Sequence, residues 1–123
     1  MHRNAALITG ASAGIGRAYA IEAVRRGWQT MLLTARRVER LEELAALLRA
    51  QGAGAVHCLP ADLSNPAERR QLLAAVERLG IVPDLIVNNA GFGSLGPFSE
   101  ADPSWELKMV AVNVEAPVEI TRH

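Results

Sequence analysis

Three glycines fall within seven residues at Gly10, Gly14 and Gly16, between the apolar run Ala5 to Thr9 and a helical pattern that starts at Ile15. Glycine loses more backbone freedom on folding than other residues, so this turn must need a close approach of the chain. The chemistry open to such a turn is phosphate binding. A helix N-terminus offers unpaired N–H groups and a partial positive charge, and side chains would hold an anion away. A tight turn without a ligand is the other reading of the same residues. The spacing Gly-x-x-x-Gly-x-Gly differs from the common Gly-x-Gly-x-x-Gly fingerprint. No Gly-Lys-Ser/Thr follows, which argues against a nucleoside-triphosphate loop.

The elements that must position this turn are legible in the hydrophobic pattern. Strands are expected over 5–9, 30–35, 55–59 and 85–88. The second, Thr30 to Ala35, is apolar without alternation, as a strand covered on both faces should be. Helices are expected from Ile15 to Arg26, stopped by Gly27, and from Val38 to Gln51, where Leu41, Leu44, Leu47 and Leu48 share a face. Asn65, Pro66 and Glu68 form the cap and first turn of a third helix that runs to Gly80. Asp102 and Pro103 open a fourth after a loop rich in Gly and Ser. Strand and helix alternating in this way predict an α/β fold, a parallel sheet with helices on both faces. In such a sheet ligands bind at the carboxyl ends of the strands, where the glycine turn lies.

Composition narrows the classes. The chain has 123 residues, half of them apolar, and a formal net charge of zero. It fits one globular domain over residues 1–123, and it lacks the basic stripe of a nucleic-acid binder. Cys58 is the single cysteine, so no disulfide can form within the chain, and a reducing compartment follows. No apolar run reaches membrane-spanning length, and the first strand leaves no room for a signal peptide. No nucleic acid and no membrane are therefore expected as partners, and the cytoplasm is the expected location.

A second motif gives the turn a family. Thr9-Gly10-Ala11-Ser12-Ala13-Gly14-Ile15-Gly16 and Asn88-Asn89-Ala90-Gly91 together resemble the classical short-chain dehydrogenase/reductase family. Asp62 and Leu63 after the third strand also match, as does Asn113 in the fourth helix, and the likeness covers the whole chain. The resemblance implies a Rossmann-type doubly wound sheet, of about four strands and four helices here, in the order 3-2-1-4. It implies a nicotinamide dinucleotide along the strand ends. Gly10, Ser12, Gly14, Ile15 and Gly16 would take its phosphates and ribose. Asp62 and Leu63 would flank the adenine, and Asn88, Ala90 and Gly91 would line the inner side. A small carbonyl or alcohol substrate and a homo-oligomer are the expected partners.

Charge bears on which dinucleotide. A preference for NAD calls for an acidic residue near the end of the second strand, on the ribose 2′-hydroxyl. Here the segment reads Thr34-Ala35-Arg36-Arg37, with no Asp or Glu between Glu22 and Glu39. A guanidinium can bind the 2′-phosphate of NADP(H) by charge-assisted hydrogen bonds. NADP(H) is preferred, with NAD(H) possible. Arg36 is the expected ligand, and Arg37 the second candidate or a solvated residue.

The family's chemistry uses a Tyr with a Lys four residues later and a nearby Ser. This chain has one tyrosine, Tyr19, and one lysine, Lys108, far apart, so that motif is absent. The closing residues Val118 to His123 keep a helix's apolar period without a cap, which suggests the N-terminal portion of a longer protein. A non-catalytic dinucleotide-binding module and a partner-recruiting truncated protein are the alternatives to a dehydrogenase. Asn113 and Pro117 are one helical hydrogen bond apart, and proline has no N–H to give. A bent helix with a free Asn113 carbonyl is expected. The resemblance implies that this Asn holds a proton-relay water, which makes Asn113 the candidate catalytic residue; a tolerated kink is the plainer reading.

Overall fold

The computed structural model describes residues 4–123. Four strands, β1 (Ala5–Thr9), β2 (Thr30–Thr34), β3 (Ala55–Cys58) and β4 (Leu85–Val87), form one parallel sheet in the order β3-β2-β1-β4. Helices α1 (Gly14–Arg25) and α2 (Val38–Ala50) connect the first three strands, and α3 (Pro66–Arg78) crosses back to β4. A short 3-10 turn (Phe98–Glu100) precedes α4 (Pro103–Val110) and α5 (Ala116–Arg122). Among the described residues, no helix is long and apolar enough to cross a membrane.

Alternation along the strands divides the core in two. Ala6, Ile8, Met31 and Leu33 point to one face, where Leu41, Leu44 and Leu48 of α2 and Ala20, Ala23 and Val24 of α1 cover them. Leu7 and Leu32 point to the other, against Leu72, Leu73 and Val76 of α3 and Ala116 and Ile120 of α5. Both faces of β1 and β2 are thereby dry, which is why their sequences run apolar without alternation. Burial of such side chains is the main driving force, roughly 1.5–3 kcal/mol for each large one.

Register sets the level of the strand ends. Thr9 stands beside Thr34, so β1 and β2 finish together. The chain beyond them is held by further bonds. Ala11 N–H donates to the Thr34 carbonyl at 3.2 Å, and Ala61 N–H donates to the Ala35 carbonyl at 3.0 Å. The connection from β1 leads to β2 on one side, whereas β4 lies on the other side of β1. A crevice opens where the strand order reverses in this way.

The helical run from Pro103 to Arg122 carries a feature that its sequence does not announce. A π-helical turn, Ala111–Glu115, joins α4 to α5, with Ala116 N–H donating to the Ala111 carbonyl. Val110, Glu115 and Ala116 all keep right-handed helical angles, so the backbone widens rather than breaks. Pro117 follows directly. Its ring crowds the carbonyl four residues back and supplies no donor, and a wider turn relieves both.

Candidate functional site

The first wall of the crevice is the turn after β1. Gly10 has φ +62°, and a Cβ there would lie 2.8 Å from the Asn89 amide nitrogen and 3.0 Å from Ala90. Gly16 is buried, and a Cβ there would overlap the Gly10 carbonyl. Two of the three glycines are thus fixed by backbone approach, one to the β4 loop and one to the turn itself. Both requirements hold whether or not an anion is bound. The turn ends at the first residue of α1, whose unpaired N–H groups are left without a side-chain cap.

Thr9 locks this wall to the next. Its buried hydroxyl accepts from Asn89 N–H at 3.0 Å and from Ala90 N–H at 2.9 Å. The Asn89 side chain donates to the Gly10 carbonyl at 3.2 Å. The neighbouring Asn88, expected on the inner side of the crevice, turns instead to α5 and donates to the Thr121 hydroxyl at 3.0 Å. Alternation explains the swap. Ile86 faces the second core and Val87 the first, so Asn88 falls on the α5 side.

A cleft of about 530 Å³ runs along the strand ends. Of the residues expected to bind, Gly10, Ser12, Arg36, Arg37, Asp62, Leu63, Ala90 and Gly91 line it. Gly14, Ile15, Gly16, Asn88 and Asn113 are not among its lining residues. Gly14 and Gly16 shape the turn behind it, and Ile15 stands exposed. Arg40, Asn89, Phe92, Trp105 and Lys108 also line the cleft and were not singled out as site residues from the sequence. Arg40 was within reach of that reading, since it lies three residues after Arg37 and shares its helical face.

The cleft's charge is one-sided. Arg36, Arg37, Arg40 and Lys108 face a single carboxylate, Asp62, among the described lining residues. The Ser64 hydroxyl donates to Asp62 Oδ1 at 2.7 Å and the Ser64 N–H at 3.0 Å. These bonds hold the Asp62 carboxyl below its ordinary range, the hydroxyl most strongly, with Arg36 and Lys108 adding attraction from farther off. The Asp62 N–H donates to Glu68, the third residue of α3, while Asn65 caps that helix.

At the other end, Phe92 and Trp105 meet as tilted rings with centroids 4.8 Å apart. The Asn113 amide grips the Phe92 backbone from both sides. Its Oδ1 accepts from Phe92 N–H at 3.1 Å, and its Nδ2 donates to the Phe92 carbonyl at 2.8 Å. Asn113 thus acts on the cleft through a residue that lines it.

A glycine turn at a strand-to-helix junction, an Asn-Ala-Gly wall and a cationic cleft at the sheet's switch point form a nucleotide-binding arrangement. The family model for short chain dehydrogenase matches residues 4–123. The chain belongs to the short-chain dehydrogenase family. Among its relatives, serine 3-dehydrogenase from Agrobacterium fabrum is 37% identical over 119 residues, covering 95% of this chain and 45% of that protein. A solved short-chain dehydrogenase from Sphingobium yanoikuyae in complex with NADPH has 36% identity and a TM-score of 0.83, covering 97% of this chain and 46% of that one. A metagenomic short-chain oxidoreductase in complex with NADP has 32% identity and a TM-score of 0.90, covering 99% of this chain and 55% of that one. The chain therefore spans about half the length of these dehydrogenases.

Proposed function

We propose that this chain forms the NADP(H)-binding part of an oxidoreductase that exchanges hydride with a carbonyl or alcohol substrate. The observation that carries the cofactor choice is the cluster Arg36, Arg37 and Arg40, which lines the cleft with no carboxylate beside it on β2 or its loop. A 2′-phosphate would meet guanidinium groups suited to paired hydrogen bonds, and Arg36 is the foremost of them. An acidic residue, which a bare 2′-hydroxyl would favour, is missing from that position.

The remaining residues fit the same ligand. Gly10, Ser12, Gly14, Ile15 and Gly16 form the turn and helix start that would receive the pyrophosphate and its ribose. Asp62 and Leu63 would hold the adenine edge, and Ala90 and Gly91 the inner wall. Asn88 would support that wall from behind, through Thr121. NADP(H) held by these residues would supply hydride chemistry, exchanging a hydride with the carbon of a carbonyl or alcohol as a proton passes to or from its oxygen. Asn113 orients the Phe92 backbone with its side chain. Its carbonyl cannot receive the ordinary helical bond from Pro117, which leaves it suited to a proton-relay water.

A second reading, binding without turnover, is favoured by one observation. Tyr19 lies on α1 outside the lining residues, and Lys108 lies on α4, so these residues hold no paired proton donor. Incubating the whole protein with NADPH and a panel of ketones and aldehydes separates the two. Substrate-dependent loss of NADPH absorbance is expected. Tight NADPH binding with no turnover on any carbonyl would favour the binding module.

A further inference from the structure

Arg69 is a charged side chain buried almost completely, at 3% exposure, and it is not among the residues that line the cleft. It sits in the first turn of α3, where the helix dipole disfavours a cation. Helix stability therefore does not account for it. Its guanidinium is spent on three acceptors from two other parts of the chain. One N–H group donates to the Leu63 carbonyl at 2.8 Å. A second donates to Glu115 at 3.1 Å, and the third to Glu119 at 3.2 Å.

These acceptors belong to two separate segments that shape the site. Leu63 belongs to the loop that lines the cleft beside Asp62. Glu115 closes the π-helical turn that carries Asn113, and Asn113 grips the Phe92 backbone at the far end. We infer that Arg69 is a positioning residue that locks the Asp62–Leu63 loop to the π turn, so that both ends of the cleft hold one geometry. A planar fork with several donors suits this task. An ammonium is a point charge and cannot span the three acceptors in the same way. Its removal would leave the buried Leu63 carbonyl without that donor and two carboxylates without their cation. The consequence for cofactor affinity rests on the NADP(H) reading above; the mechanical coupling does not.

The test is amide hydrogen exchange on the whole protein without cofactor, with Phe92 N–H as reporter because Asn113 accepts it. Arg69→Met and the double variant Glu115→Gln/Glu119→Gln should speed exchange at Phe92 about tenfold while the amides of β1 and β2 keep their rates. Arg69→Lys should fail to restore the slow rate. Unchanged exchange at Phe92 overturns the inference, and so does equal acceleration at every amide. Should Arg69→Met fail to fold, the double variant decides, since both glutamates lie at the surface side of the cluster. NADPH titration of the same proteins is read separately. Weaker NADPH binding in the variants extends the coupling to the ligand. A wild-type protein that binds no NADPH contradicts the cofactor reading and leaves the exchange result to stand alone.

Discussion

Asp62 shows how much one residue carries. Its carboxylate closes a turn on Ser64 and stands within the field of Arg36 and Lys108 from across the cleft. Because these contacts lower its folded-state pKa, its stabilisation is complete above the ordinary value of 3.8 and is lost as pH falls through the lower folded value. Titration of the Asp62 carboxyl by NMR should give a midpoint below 3.8, and Ser64→Ala should raise it. A midpoint that ignores the Ser64 change would remove the hydroxyl as the leading cause. At this scale the sequence was a partial guide. The Thr-Gly and Asn-Ala-Gly motifs marked the right loops, but which of Asn88 and Asn89 faces the glycines depends on strand alternation at one residue. Arg69 left no signal at all: its carboxylate partners lie 46 and 50 residues away, and an arginine in a helix reads as solvated.

Elements bring these residues together, and Thr9 at the end of β1 is the joint. Its hydroxyl accepts from two N–H groups of the β4 loop, so Thr9→Val removes the acceptor of Ala90 N–H and leaves Asn89 N–H with only the Val87 carbonyl, while keeping the shape. A loss of about 1–3 kcal/mol is expected in a denaturant melt of the whole protein. NADPH affinity should fall as well, since Ala90 lines the cleft. A melt identical to wild type would show that the β4 loop is held by other contacts. The strands and first three helices were legible because their period and caps are local, and their bounds shift by only a residue or two. The π turn was not. Pro117 announces a missing donor, but whether the helix kinks, breaks or widens depends on packing. Here Val112, Ala116 and Ile120 are buried on one side, which keeps the run continuous.

The whole molecule carries an apolar surface that the two cores do not absorb. Leu107, Val110, Val114 and Val118 recur along α4 and α5 at intervals of three and four residues, each roughly half exposed or more. β4 ends the sheet on the same side of β1, with no strand beyond it among the described residues. Residues 1–123 alone should therefore self-associate, and sedimentation velocity should show a weight-average size that rises with concentration. A compact monomer at every concentration, with a cooperative melt, would mean that this surface is tolerated in water.

The central claim is that the arginine-lined cleft takes the phosphorylated dinucleotide. Calorimetric titration of the whole protein with NADPH and with NADH, repeated on Arg36→Ala, tests it most directly. A charge-assisted contact of roughly 1.5–3 kcal/mol predicts that NADPH binds the wild type more tightly, and that Arg36→Ala weakens NADPH about tenfold or more. NADH binding should hardly change. Equal affinity for the two cofactors in the wild type, or equal weakening of both in the variant, would contradict the account.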